Sequence, residues 1–192
     1  MVNIMHARHL TELRKAVANH QYDQTEKGVY FPKQQIEIAG FFTVDVNGEN
    51  PEICYNAVAD VGMDHILDVV LRYQTVGTWY ISMFTAPAQT PDNTWTMTTF
   101  VDTGVEFTAY SGNRPSYVAD AASGQSIVNA GTPASFTIDG VADPYNLNGA
   151  GILNGAVKGT KVAPLIAAAK FNAQRTVAEF DVVNIQYTVS LV

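Results

Sequence analysis

From Val183 to Leu191 the chain alternates strictly: Val183, Ile185, Tyr187, Val189 and Leu191 are apolar, and Asn184, Gln186, Thr188 and Ser190 lie between them. A two-residue period sends the two sets to opposite faces of an extended strand, and slipping the pairing by one residue would expose the whole apolar set. This segment therefore has to be a strand with one buried face. The same period returns at Ile36, Ile38, Phe42, Val44 and Val46, interleaved with Glu37, Thr43 and Asp45. Asn47-Gly48 follows, a pair that accepts positive φ, and then Ile53, Tyr55 and Ala57 share a face. Residues 36–58 accordingly read as a β-hairpin.

The pattern changes once in the middle of the chain. Met63, Ile66, Leu67, Val70 and Leu71 recur at helical spacing over about 62–73, with Asp60 placed as a cap and Asp68 four residues before Arg72. His65 then falls on the polar side, beside Asp64 and Asp68. Val76 to Phe84 reads as a central strand, since Trp79, Ile81 and Met83 occupy one face and Tyr80 and Phe84 the other. Residues 85–104 read as a long loop with a short irregular strand near Trp95. Short β-prone runs at 105–110, 116–118, 126–129 and 134–138 are separated by Gly, Pro and Asn. Residues 165–171 fit a helical turn or a strand. Many short strands with frequent turns predict a mainly β fold, a β-sandwich or jelly-roll-like domain over 36–192 with one short amphipathic helix. There is no tandem repeat and no low-complexity tract.

The amino-terminal segment is of another kind. Val2, Met5, Leu10, Leu13 and Val17 recur at helical spacing, but the stripe is thin and includes His6 and His9, so a helix here needs a partner surface. Gln21 to Pro32 reads as a connection. Residues 1–33 carry five basic and three acidic side chains, and the rest of the chain six and fifteen, within an overall net charge of −7. An acidic body argues against direct nucleic-acid binding, and a mildly basic arm suits an acidic neighbour. The expected organisation is an N-terminal helical docking arm at 1–35, with Met5, Arg8, Leu10, Leu13, Arg14, Lys15 and Val17 as its partner-binding residues, followed by the β-domain.

Only 15% of residues are charged and 47% are hydrophobic, which is ample for a core and leaves a surface expected to be covered in use. The single cysteine, Cys54, excludes an intramolecular disulfide and reads as a small core residue. No apolar run approaches the roughly 18 residues needed to span a bilayer, and the amino terminus, with His6, Arg8 and His9, lacks a signal-peptide apolar region, so no membrane partner is expected.

Candidate chemistry fails on spacing. His6 and His9 lack a nearby third ligand, so no metal is expected. Asp45-Val-Asn47-Gly48-Glu49-Asn50 offers oxygen ligands, but its glycine is misplaced for a calcium loop and strand patterns flank it. In the stretch from Gly149 to Lys161, Gly155 and Gly159 are too close for a phosphate loop and Thr160 precedes Lys161, so tight turns between strands are the better reading. His65 has no serine partner in view, and neither catalytic residues nor a cofactor are expected.

Gly62-Met-Asp-His-Ile-Leu-Asp68 followed by Thr78-Trp-Tyr-Ile-Ser-Met-Phe84 resembles a family of tailed-phage virion proteins, in which a Gly-Leu-x-x-Leu-Leu-Asp helix leads into a Trp-Tyr-x-Gly-Leu strand. Glu106-Phe-Thr-Ala-Tyr110, Arg114-Pro115, Ser126 to Asn129, Pro133-Ala-Ser-Phe-Thr-Ile138, the Lys158-Gly159 turn and the ending Tyr187-Thr-Val-Ser-Leu191 are similar to it as well. Ser82-Met83 departs from the Gly-Leu of the family pattern, and residues 139–148 look longer than usual. The resemblance spans about 36–192 and implies a non-enzymatic particle component, made in the host cytoplasm and incorporated into the virion as capsid decoration or as a tail or fibre-associated protein. Its implied partners are the major capsid protein or a tail or adaptor protein, together with further copies of itself, a trimer being the expected homo-oligomer. A different reading of the same β-domain is a carbohydrate- or receptor-binding module displaying Trp95, Tyr110 and Tyr117 on loops.

Overall fold

The computed structural model describes residues 22–24, 30–32, 38–72, 75, 77–140 and 144–191. The chain divides into two compact units, Met1–Glu37 and Ile38–Val192. In the first, β1 (Tyr22–Gln24) and β2 (Tyr30–Pro32) pair antiparallel with Asp23 opposite Phe31. This corrects the bare connection expected at 21–32. So short a ladder satisfies backbone groups without the side-chain alternation by which strands are recognised. The predicted helix before it lies outside the described residues.

The second unit is mainly β. Its strands are β3 (Ile38–Val46), β4 (Glu49–Tyr55), β5 (Ala57–Val58), β6 (Tyr80–Phe84), β7 (Ser126–Val128), β8 (Ala134–Thr137), β9 (Tyr145–Leu153), β10 (Leu165–Val177) and β11 (Val182–Leu191). Among the described residues a helix, α1 (Asp60–Arg72), and a π-helical turn at Thr99–Thr103 interrupt them. Two antiparallel sheets result, in the orders β4-β3-β11-β7, with β8 also on β11, and β5-β10-β9-β6.

The alternating carboxy-terminal run becomes the middle of the first sheet. β11 pairs with β3 from Val183 opposite Val46 to Leu191 opposite Ile38, and Val183, Ile185 and Tyr187 are buried beside Phe42 and Val44. The β3–β4 hairpin turns where expected. Asn47 and Gly48 hold φ of 55° and 77°, and Gly48 donates its N–H to Asp45 Oδ1 at 2.8 Å. After Asn56 the chain leaves this sheet, because β5 pairs with β10 of the other one.

Facing residues of the second sheet, including Ile81, Met83, Leu147, Ile152 and Ala167, complete a core shared by both sheets. β6 is buried on both faces as its residues require, but it ends the sheet order instead of sitting centrally. Its open edge is covered by the following loops: Phe107 donates its N–H to Met83 O, Ile81 to Pro115 O and Tyr117 to Trp79 O. The runs at 105–110 and 116–118 therefore act as an irregular cover joined by isolated bridges, not as strands. Gly149 and Gly151 also depart from the turn reading, since they lie within β9. A Cβ on Gly149 would overlap the Phe84 ring, and one on Gly151 would come within 2.6 Å of Phe100. Phe84, Trp95, Met97 and Phe100 form a second core with Leu153 and Leu165, so the 85–104 segment is anchored by a buried tryptophan and a π-helical turn, with no strand there.

α1 is rolled about its axis from the expected orientation: of the predicted stripe, Met63 and Ile66 are half-buried, Ile66 against the core, whereas Leu67, Val70 and Leu71 are exposed. Gly62 is its buried residue, and a Cβ there would meet Ile166 O at 2.5 Å, so only glycine lets the helix approach β10 this closely. Among the described residues no helix is long and apolar enough to cross a membrane.

Candidate interaction surface

Two arrangements stand out in the second unit: a closed polar cluster and an open apolar cleft. The cluster centres on Glu106. Its Oε1 accepts Arg114 Nε and Ser82 Oγ, both at 2.6 Å, and its Oε2 accepts Arg114 Nη2 at 2.7 Å and the Gly159 N–H at 2.8 Å. Arg114 also donates to Gly155 O at 2.9 Å. The two side chains are 0% and 2% exposed, so the bidentate pair is sealed from water with its oxygens satisfied. Lys158 extends the tie: its Nζ donates to Thr108 O and Tyr110 O at 3.0 and 2.7 Å and stands 4.1 Å over the Tyr110 ring. The Tyr110 hydroxyl is buried without a hydrogen-bond partner, and burial, reinforced by the Glu106 charge, pushes its pKa up. Together these bonds clamp the 106–114 and 155–159 loops to β6. Both carboxylate oxygens are thus occupied by donors from within the fold.

A smaller tie protects the edge strand β4. Glu52 accepts Arg175 Nη2 at 2.6 Å and the Ala173 N–H at 3.0 Å, while Asn172 Nδ2 donates to Ile53 O at 2.8 Å. The register of β10 shifts between Lys170 and Arg175, and this irregular stretch supplies those donors. Cys54 is fully buried next to them, and burial pushes its thiol up to about 12.

The cleft opens between the sheets beside α1. Trp79, Tyr117 and Tyr187 provide aromatic walls, Ile152 and Ile166 a floor, and the cavity is about 280 Å³. An adjoining hollow of about 350 Å³ shares Ile38, Ile66, Ile127 and Val189 and runs out to Leu191. Polar groups sit behind the rings: Tyr117 donates its hydroxyl to Tyr187 O at 3.2 Å, and Asn56 Oδ1 and His65 Nε2 are buried without partners. Burial raises both phenols, Tyr117 to about 12. His65 meets Trp79 edge to face at 5.1 Å, so it packs inward and is not on the solvent side of its helix. Such a cleft offers apolar contact and aromatic faces, and among the described residues no charged side chain lines it.

No protein-family model and no curated protein matches the chain. Met5, Arg8, Leu10, Leu13, Arg14, Lys15 and Val17 lie outside the described residues, as do His6 and His9. Asp45 to Asn50 is a hairpin turn. In the 155–161 loop the Gly159 N–H is spent on Glu106 and Lys161 pairs with Asp102 at 2.6 Å. Trp95 and Tyr110 are 5% and 4% exposed, so neither is displayed on a loop, and Tyr117 is committed to the cleft wall.

The cleft had no local signal in the sequence, because its residues are drawn from positions between 38 and 191 and meet only in the fold. The cluster had one. Glu106, Tyr110, Arg114 and Lys158-Gly159 stand among the motif residues quoted above, but nothing in their spacing pairs them.

Proposed function

We propose that this chain is a non-enzymatic structural component of a tailed-phage virion, a jelly-roll-like subunit that decorates the capsid or joins the tail and fibre apparatus and docks through residues 1–35. The observation that carries the reading is the destination of the motif residues. Glu106, Arg114, Lys158 and Gly159 are consumed by bonds to one another and to neighbouring backbone, and Trp79 and Tyr187 line an apolar cleft. A motif spent on rigidity and on apolar surface serves assembly, where many weak contacts are multiplied by symmetry. The charge asymmetry supports the arm as the docking element, since residues 1–33 are net basic and the rest of the chain is strongly acidic.

Deleting residues 1–33 and measuring incorporation into particles tests this function. Loss of incorporation with the β-unit still folded by circular dichroism is expected. Undiminished incorporation refutes docking through the arm, and absence of the full chain from purified particles refutes the virion role.

A further inference from the structure

The cleft beside α1 and the hollow adjoining it make one continuous apolar space, since Ile38, Ile66, Ile127 and Val189 line both. It follows one face of β11 from Tyr187 past Val189 to Leu191, a stretch of about 13 Å at the rise of a strand. Few polar groups are open along it. The Tyr117 hydroxyl is spent on Tyr187 O at 3.2 Å, the Tyr187 hydroxyl takes Asn56 Nδ2 at 3.5 Å, and the Ser126 and Ser190 hydroxyls at the outer end bond each other at 3.0 Å. Gln125 stands exposed at the outer rim. These walls select among occupants. An extended peptide brings an N–H and a C=O at every residue, and both would go unpaired here. An alkyl chain carries neither. At roughly 25 Å³ per carbon, the ratio at which a dry cavity of about 150 Å³ takes benzene, the inner cleft of about 280 Å³ holds about eleven carbons. At that ratio the seven side-chain carbons of a phenylalanine from a neighbouring protein would leave about a third of it empty.

We propose that the cleft is a binding site for a free single-chain alkyl compound, the end of its chain among Trp79, Ile152 and Ile166 and its head at the outer rim by Gln125 and Leu191. Binding is driven by removal of the chain from water and so grows with its length. A free compound is favoured over a bilayer as the source of the chain, because a net charge of −7 is repelled by anionic headgroups. The site concerns the cleft alone and does not depend on docking through residues 1–35.

The test titrates the full chain with linear alcohols from hexanol to decanol by calorimetry. Saturable binding of one alcohol per chain is expected, tightening about fourfold with each added methylene. Two variants fill the space: Ala119→Phe at its exposed mouth and Val189→Phe on the wall shared by both hollows. Each is expected to weaken decanol at least about tenfold, Ala119→Phe without change in melting temperature. Val162→Phe, at a position 95% exposed on another loop, should bind as the parent does. Absence of saturable decanol binding overturns the proposal, as does an affinity that ignores chain length or survives both filling variants. Naphthalene bound as tightly as decanol would assign the cleft to a flat ring instead. Co-sedimentation with phosphatidylcholine vesicles would assign it to a bilayer, and a self-association that decanol dissolves would assign it to a second copy; each of these results overturns the proposal as well.

Discussion

Replacing Arg114 by Met should expose how much the sealed ion pair holds. The substitution removes the bonds to Glu106 Oε1, Glu106 Oε2 and Gly155 O at 2.6, 2.7 and 2.9 Å and leaves the Glu106 carboxylate, 2% exposed, with Ser82 and Gly159 as donors but no cation. Removing one partner of a buried pair costs about 3–5 kcal/mol. That is a large share of the roughly 5–15 kcal/mol by which a domain is stable. With a urea m-value of about 2 kcal/mol/M, the unfolding midpoint should fall by about 1.5–2.5 M, read by the fluorescence of Trp79 and Trp95. The sharper result is the double variant. In Arg114→Met with Glu106→Gln, the neutral amide no longer carries an unpaired buried charge and its oxygen still accepts a hydrogen bond. The double variant should therefore be more stable than Arg114→Met alone. A double variant less stable than the single one, or a cost for Arg114→Met below about 1 kcal/mol, would refute the account of the cluster as a structural clamp.

Gly62→Ala should destabilise by about 1–3 kcal/mol in thermal unfolding, since its methyl group would meet Ile166 backbone and lift α1 from β10. Tyr110→Phe should be neutral or stabilising, because it removes a buried hydroxyl that has no hydrogen-bond partner. Cys54 should resist alkylation at pH 8 in the folded protein and react on unfolding, and stability should decline as pH rises above 9 towards 12. The folded thiol keeps its proton up to about 12 and the unfolded one loses it near 9.0, so the unfolded state binds fewer protons across that window. Cys54→Ala should flatten part of that decline, the remainder being due to buried phenols such as Tyr117.

What the sequence alone determined was the local part of the fold. The alternation of Val183 to Leu191 required a half-buried strand, Asn47-Gly48 required a hairpin turn, and Asp68 with Arg72 predicted the ion pair observed at 2.9 Å. Each depends on neighbours a few residues apart, where backbone geometry dictates which side chains meet. Tertiary structure decided the rest. The stripe of α1 looked wholly buried until Gly62, packed against Ile166, rolled the helix so that Ile66 stays on the core and Leu67, Val70 and Leu71 face out. Gly149 and Gly151 looked like turn residues until the rings of Phe84 and Phe100 were laid across β9. Glu106 and Arg114 lie eight residues apart, but the Ser82 group that seals them comes from β6 and the Gly155 and Gly159 groups from a distant loop. An amphipathic period shows that a helix has two faces, and only the surface it meets decides which one is buried.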